Sequence, residues 1–454
     1  MKLKQSLYTL LAAGSVVGWA HADIGLISSD KGELDVYGVL DAAVVHQDHS
    51  LSISTSMPNQ IYPYQPTAQG VGAVSGLLGG GLSDSRLGFK GFLKMDPGSK
   101  AIFDLESGFD LTSGQLNNAA AAVAANPKGN NPYVKNNSGN AVPWANTVNA
   151  DSSLNGQLFG RAAWFGFQDD NYGKITAGLQ NNPMKDVFMG YDPVKSDTFS
   201  PFGESGTIGG GGGVSEDARM ENSLEYTNGM NGFDFSLAYQ FGNNTSTNGV
   251  VGGSGVGNGF AARVGYEDKM FGVQFAYNKF VDALKAVNAD PSKANYTGGS
   301  IGLQELNTKS TLLAAKFTGI QDLNLSAGWE QFTDSAPSDQ VNIGSIWGLA
   351  VQSVSAAYNP GISQKTNIYF GGGDYNLMPN LNFSLGYYDT QIDNKTNATG
   401  TNGSIKTTSA VLDYKLYKQM DSYFVVSTNK FGGPAFSSNN SSQTAFGLGA
   451  RVKF

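Results

Sequence analysis

The sequence predicts an all-β protein, a closed antiparallel β-barrel of about sixteen strands that crosses a membrane. Three features of the chain predict this fold. Apolar and polar residues alternate with a period of two. The candidate strands are about 10 residues long, which is the length of a tilted strand that crosses a bilayer. The gaps between them alternate between short and long, as in outer-membrane barrels with short periplasmic turns and long extracellular loops.

The first 22 residues are predicted to be a cleaved signal peptide. Lys2 and Lys4 give it a positive start, an apolar run follows at 7–19, and Ala-His-Ala at 20–22 fits a cleavage site. The apolar run is shorter than the ~20 residues that a spanning helix needs. We therefore expect an exported chain in which residues 23–454 form one barrel domain.

The composition excludes several classes of protein. The 454 residues include no cysteine, which rules out cysteine-based catalysis and thiolate metal sites. The net charge of −8 argues against nucleic acid as a partner, because phosphates require lysine and arginine. After the signal peptide, no apolar stretch is long enough for a spanning helix. A membrane protein with this sequence must therefore be a closed barrel.

Sixteen segments are candidate strands. In chain order they lie at 33–47, 85–95, 99–110, 157–168, 172–181, 219–228, 233–241, 259–268, 271–280, 309–318, 323–333, 364–375, 381–391, 407–417, 421–430 and 443–454. The short gaps carry turn residues, as in Met-Asp-Pro-Gly-Ser at 95–99. Ser345 to Tyr358 is apolar enough for a strand, but we place it in a long loop. As an additional strand it would point to a barrel of eighteen.

Period two also determines which side chains share a face. The side chains predicted to face lipid are Leu87, Phe89, Leu93, Trp164, Met220, Leu224 and Tyr226. Those predicted to face the lumen are Asp35, Asp41, Arg86, Lys90, Asp104, Glu106, Arg161, Arg219, Glu221, Ser223 and Glu225. The orientation of Trp164 also turns Phe165 inward, which is unfavourable for an aromatic side chain in a wet lumen.

Four segments resemble the general, trimeric diffusion porins of Gram-negative outer membranes. They are LDVYGVLDAAV (34–44), SRLGFKGFLKMDPGSKAIFDLESGFDLTSG (85–114), LFGRAAWFGFQDDNYGKITAGLQNNPMKDVF (158–188) and RMENSLEYTNGMNGFDFSLAY (219–239). The chain also ends as this family does, on an alternating strand that closes with Phe454. The resemblance implies about sixteen strands, a homotrimer and a third loop folded into the pore.

Five consecutive glycines at 209–213 lie in the third long gap, where the family has its infolded loop. Within this gap, Ser200-Pro201-Phe202-Gly203-Glu204 stands where the family carries a Pro-Glu-Phe-Gly-like motif. Glycine permits positive φ and close backbone approach, which a loop inside a barrel requires. No Gly-Lys-Ser/Thr follows the run, so it does not match a phosphate-binding loop. We therefore expect residues 195–217 to lie inside the barrel.

The resemblance also implies the roles of charged residues. Arg86, Arg161 and Arg219 fall where the family places an arginine cluster on the pore wall, and Lys90 shares that wall. The acidic residues that the infolded loop offers as counter-charges are Asp197, Glu204, Glu216 and Asp217. A basic wall opposite an acidic loop produces a transverse field at the narrowest point of the pore.

These features predict a channel for the passive diffusion of small hydrophilic solutes and ions. It would lie in the outer membrane, in contact with lipids and lipopolysaccharide, and would need no cofactor. An adhesin or structural barrel and a substrate-specific channel are the alternatives, but an adhesin needs no loop that faces arginines. An enzyme is disfavoured: His46 and His49 lie beside Asp48 and Ser50, yet no Gly-x-Ser-x-Gly elbow occurs. We expect neither a catalytic nor a metal site.

Overall fold

The protein is a β-barrel that encloses a short helix, described here from a computed structural model. The structure describes residues 24–50, 72–109, 111, 114, 130–136, 141–143, 158–196, 199–201, 219–242, 258–287, 301–335, 345–346, 349–353, 363–394, 402–433 and 442–454. Among these residues no helix is long and apolar enough to cross a membrane.

Sixteen antiparallel strands close the barrel, as predicted. The strands in chain order are β1 (Ile24–Ser29), β2 (Gly32–Ser50), β3 (Gly72–Gly79), β4 (Arg86–Lys94), β5 (Ser99–Gly108), β6 (Asn130–Asn136), β7 (Ala141–Pro143), β8 (Ala162–Asp169), β9 (Gly173–Asn181), β10 (Arg219–Met230), β11 (Phe233–Gln240), β12 (Gly259–Glu267), β13 (Phe271–Val287), β14 (Ile301–Ile320), β15 (Leu323–Ser335), β16 (Ser345–Ile346), β17 (Leu349–Ser353), β18 (Ser363–Met378), β19 (Leu381–Asn394), β20 (Gly403–Tyr417), β21 (Met420–Gly432) and β22 (Ser442–Lys453). Helix α1 is Pro183–Tyr191. The barrel itself consists of β2, β4, β5, β8 to β15 and β18 to β22.

The barrel closes at β2, whose two edges have different partners. One edge pairs with β22 over Val39 to Gln47, and the other pairs with β4 over Gly32 to Val39. Because β22 ends near Val39, β1 folds back and covers the rest of the first edge. The terminal Phe454 exchanges two backbone hydrogen bonds with Gly38, at 2.6 and 3.0 Å. The end of the chain is thereby joined to its first barrel strand.

The apolar segment at 345–358 is not a barrel strand. Its described residues form the short hairpin of β16 and β17, and β17 pairs in parallel with β14 at Ile301 to Leu303. In the barrel, β15 pairs directly with β18 across this connection. The placement in a loop is therefore confirmed, and the count stays at sixteen rather than eighteen.

The predicted orientation of Trp164 was wrong. Phe165 and Phe167 are 61% and 50% exposed on the outer face of β8, whereas Trp164 pairs with Asp104 and carries the Lys174 ammonium 5.8 Å from its ring centroid. The error arose because Arg161 precedes β8 and does not follow its alternation. An inward arginine therefore does not require an outward tryptophan.

The predicted orientation of Met220 was also wrong. Met220 is fully buried and packs with Ala238, Ala261 and Phe280, which share the faces of inward side chains. A β-bulge between Met220 and Ser223 inserts one extra residue into β10 opposite β9, and Asn222 has a φ of 45° there. A bulge reverses the alternation on one side of it, so counting back from Leu224 gives the wrong face.

Candidate functional site

Helix α1 lies inside the barrel and begins the third long loop. Asn182 caps it: its side-chain oxygen accepts a hydrogen bond from the Met184 N–H at 2.9 Å, and Pro183 occupies the first turn. The buried face of the helix carries Met184, Val187 and Phe188, which join a cluster with inward residues of the wall. The helix contacts β11, β12, β13 and β14.

After α1 the loop continues along the inner wall. Asp192 accepts a hydrogen bond from the Tyr388 hydroxyl on β19, and Lys195 forms an ion pair with Asp374 on β18 at 3.1 Å. Ser409 on β20 donates to the Phe199 carbonyl at 2.6 Å. The described part of this loop ends at the buried Pro201. It therefore follows the wall from β11 to β20.

Glycines on the inner face make room for this loop. A Cβ atom on Gly386 would lie 2.6 Å from Val194, and one on Gly372 would lie 2.9 Å from Pro193. Such distances are shorter than side chains tolerate, so only glycine lets the loop lie this close to the wall. The two glycines face each other across β18 and β19.

Arg86 and Arg161 meet on the opposite arc of the wall and share one carboxylate. Glu106 accepts from Arg161 Nε at 2.6 Å and lies 3.3 Å from Arg86 Nε. Arg161 Nη1 also pairs with Asp84 at 3.0 Å. Both arginines are more than nine-tenths buried. Charge-assisted pairs of this kind fix the guanidinium groups in position.

Arg219 and Lys90 lie on the same arc. Arg219 is 2% exposed and interacts electrostatically with Glu106. The Lys90 ammonium lies 5.1 Å from the centroid of the Tyr37 ring, whose hydroxyl donates to Asp104 at 2.7 Å. The structure thus pairs Arg86 and Arg161 with one carboxylate and places Arg219 near enough to interact with it electrostatically, with Lys90 on a neighbouring stretch of β4.

Two carboxylates outside the third loop, Glu106 and Asp84, pair with the arginines. Glu106 was predicted to face inward but not to pair with the arginines, and Asp84 was not singled out. Asp84 precedes β4 at the end of a long gap, where no alternation indicates its direction. The residues assigned to the loop as acids or motif, Asp197, Phe202, Gly203, Glu204, Glu216 and Asp217, lie outside the described residues, as does the glycine run at 209–213.

A second charged group lies beside α1. Asp186 accepts from the Asn181 side chain at 3.2 Å, and Arg263 on β12 pairs with Asp234 at 2.9 Å. Burial raises the pKa of Asp186 to about 6; the nearby Arg263 opposes this rise and Glu225 adds to it. Asp186 could not be identified from the sequence, because the side of α1 that meets the wall depends on the course of the loop.

The histidine considered for catalysis lies on the outer face. His46 is exposed, and its Nδ1 lies 2.7 Å from the Ser75 hydroxyl on β3. The side chain of His49 lies outside the described residues. Across the described ranges no group of three or more His, Asp or Glu residues is arranged to hold a metal ion.

Comparison with known proteins agrees with the fold. The family model described as Gram-negative porin matches residues 8–434. An outer membrane porin protein of Bordetella pertussis is 26% identical over 235 residues, which are 51% of this chain and 48% of that protein. The match thus spans about half of the length of this relative.

Two solved structures share the fold. An anion-selective porin from Comamonas acidovorans aligns with a TM-score of 0.59 at 17% identity, covering 93% of this chain and all of the other. The trimer form of OmpT, an outer membrane protein of Vibrio cholerae, aligns with a TM-score of 0.55 at 13% identity, covering 94% of this chain and 100% of that one. The family match over nearly the whole chain and the sixteen-stranded barrel lead to one conclusion: this chain belongs to the Gram-negative porin family of outer-membrane β-barrels.

Proposed function

We propose that the protein forms a water-filled channel for passive diffusion of small hydrophilic solutes and ions, narrowest where the third loop passes Arg86, Arg161 and Arg219. The positions of the loop and of the arginines on the barrel wall support this proposal. The described part of the loop packs on the wall from β11 to β20 and reaches Gly81, whose carbonyl accepts from Ser196 at 3.1 Å, while Arg86 and Arg161 pair with Glu106 on the remaining arc. Solutes would cross between these two surfaces.

The charges of this arc are not balanced. The arc carries four of the cations described above, Arg86, Arg161, Arg219 and Lys90, and three carboxylates, Asp84, Asp104 and Glu106, which leaves a surplus of one positive charge. Arginine stays protonated at every working pH, so the surplus is permanent. Unit charges a few ångströms apart interact by roughly 1–4 kcal/mol in water-rich surroundings. This is enough to orient and sort ions without holding them.

Replacing the three arginines tests the constriction. The triple variant Arg86→Ser, Arg161→Ser, Arg219→Ser should widen the pore and raise the preference for cations, measured as single-channel conductance and reversal potential in a salt gradient. The triple lysine variant is the matched control, because it keeps the charge and should keep the ion preference. An unchanged preference in the serine variant would contradict the constriction.

We further propose that the chain assembles as a homotrimer surrounded by lipid and lipopolysaccharide. The trimer form of the Vibrio cholerae relative supports the homotrimer. A mass of three chains in mild detergent is expected, and a uniform monomer would argue against it. We propose no catalytic activity, and we expect residues 1–22 to be removed on export.

A further inference from the structure

A recess lies in the lumen wall at the end of the barrel where the short turns are, and none of the three arginines of the cluster lines it. It has a volume of about 270 Å³ and is bounded by the third loop at Val194 and Lys195, by the turn between β18 and β19, and by β20 to β22. This volume is near the lower limit of small-molecule sites, so a solute of monosaccharide size fits it.

One wall of the recess is a fixed network of charges. Arg451 donates to both oxygens of Asp421, at 3.0 Å and 3.2 Å, and to Asp413 at 3.1 Å. Its remaining guanidinium nitrogen donates to Ser83 at 2.9 Å. Lys453 pairs with Asp421 at 3.3 Å. A network in which each group has partners keeps its geometry when a solute arrives.

The facing wall is formed by Lys195, which has an unusual backbone. Its φ is 53°, a left-handed conformation that residues other than glycine rarely adopt. Its ammonium pairs with Asp374 at 3.1 Å, yet the side chain remains 37% exposed. Asp374 also accepts from the amides of Asn324 and Asn382. The ion pair with Asp374 therefore holds a partly exposed cation at the recess.

The charges that line the recess have a surplus of one cation. The cationic residues of the lining are Lys195, Lys415, Arg451 and Lys453, and its anionic residues are Asp374, Asp413 and Asp421. Lys415 is exposed and forms no ion pair in the part of the chain that the structure describes. A single carboxylate would balance the surplus, whereas a dianion would exceed it and a cation would add to it.

The remaining lining is suited to a hydroxylated carbon chain. The side-chain amides of Asn376 and Asn380 line the recess beside the apolar Val194, Leu381 and Val411. Amides bind hydroxyl groups, and the apolar side chains cover carbon. We propose that this recess is a binding subsite for a small hydroxylated monocarboxylate, held between Lys195 and Lys415 on its way through the channel. The proposal rests on the channel function, but it does not depend on the arginine constriction.

Current blockade by gluconate tests the subsite. Gluconate has one carboxylate and five hydroxyl groups, and we expect it to reduce the wild-type current in a saturable way when it is added on the short-turn side. Glucose, its neutral counterpart, should not. The double variant Lys195→Gln, Lys415→Gln should weaken the gluconate affinity about a hundredfold, a factor of about ten for each of the two charged contacts that it removes.

Lys174→Gln is the matched control, because it removes a lysine outside the recess and should leave the affinity unchanged. Lys415→Gln alone, at an exposed side chain, provides the test if the double variant does not fold. Equal blockade of the wild type and the double variant, equal blockade by glucose and gluconate, or no blockade of the wild type would each overturn the subsite. The ion preference of the arginine variants is measured in a separate experiment. Failure of the proposed constriction can therefore be distinguished from failure of the proposed subsite.

Discussion

Glu330 places a carboxyl group on the inner wall of β15 among apolar neighbours. Its side chain is fully buried, and neither carboxyl oxygen has a hydrogen-bond partner among the described residues. Its cross-strand neighbours are Leu312 and Ile368, both apolar and buried. An unsatisfied buried polar group costs about 1–3 kcal/mol, so this residue weakens the barrel.

Replacing Glu330 by leucine should therefore stabilise the protein. Glu330→Leu is expected to raise the free energy of unfolding by about 1–3 kcal/mol, because it removes the unsatisfied carboxyl group and keeps most of the volume. The measurement is the urea midpoint in detergent. Glu330→Gln is the control, since it retains unsatisfied polar atoms and should gain less. A leucine variant less stable than the glutamine variant would contradict this account.

Asp186 gives the pore a pH dependence. Its pKa is raised to about 6 by burial, with Arg263 opposing and Glu225 adding to the rise. Because the pKa of Asp186 is higher in the folded state than the unfolded value of 3.8, its protonated carboxyl group stabilises the folded protein. This stabilisation is complete below pH 3.8 and is lost as pH rises through about 6. Between pH 7 and pH 5, the side chain gains a proton and the lumen loses one negative charge.

Cation preference should accordingly fall as pH is lowered through about 6, and Asp186→Asn should remove this step from reversal potentials measured across pH 5 to 7.5. Asp268→Asn is the matched control. Asp268 is exposed in the turn between β12 and β13, and the backbone N–H groups of Met270 and Phe271 lower its pKa, so it stays ionised throughout this range. A step that persists in Asp186→Asn would assign the titration to another group.

At the level of elements, the sequence predicted the barrel strands closely, because each one must alternate between lipid and lumen over the thickness of a bilayer. The two orientation errors occur where alternation is interrupted: Arg161 stands before its strand, and the bulge at Asn222 shifts β10. The pairing of Asp84 with Arg161 joins residues 77 positions apart and depends on the course of a loop. No local pattern encodes such a contact.

Helix α1 depends on its cap at Asn182. Asn182→Ala should lower the free energy of unfolding by about 1 kcal/mol, because the Met184 N–H loses its acceptor. It should also speed amide hydrogen exchange in α1. Asn182→Asp keeps an acceptor oxygen and should behave like the wild type. Equal exchange rates in the alanine and aspartate variants would show that packing alone holds the helix.

At the scale of the whole molecule, β4 is part of a barrel wall that separates an aqueous lumen from lipid. Leu87 is 38% exposed on the outer face, while Lys90, three residues later, points to Tyr37 and Asp104 inside. The chain contains no cysteine, so a single introduced cysteine reports on its own position alone. Closure of the barrel at Gly38 and Phe454 leaves the lumen as the one aqueous path through the described strands.

The most direct measurement is the single-channel current of Lys90→Cys and Leu87→Cys before and after a charged, water-soluble thiol reagent. We expect stable conductance steps for both variants and a permanent loss of current after modification of Lys90→Cys only. Modification that changes the current equally in both variants, or the absence of conductance steps in the wild type, would contradict it.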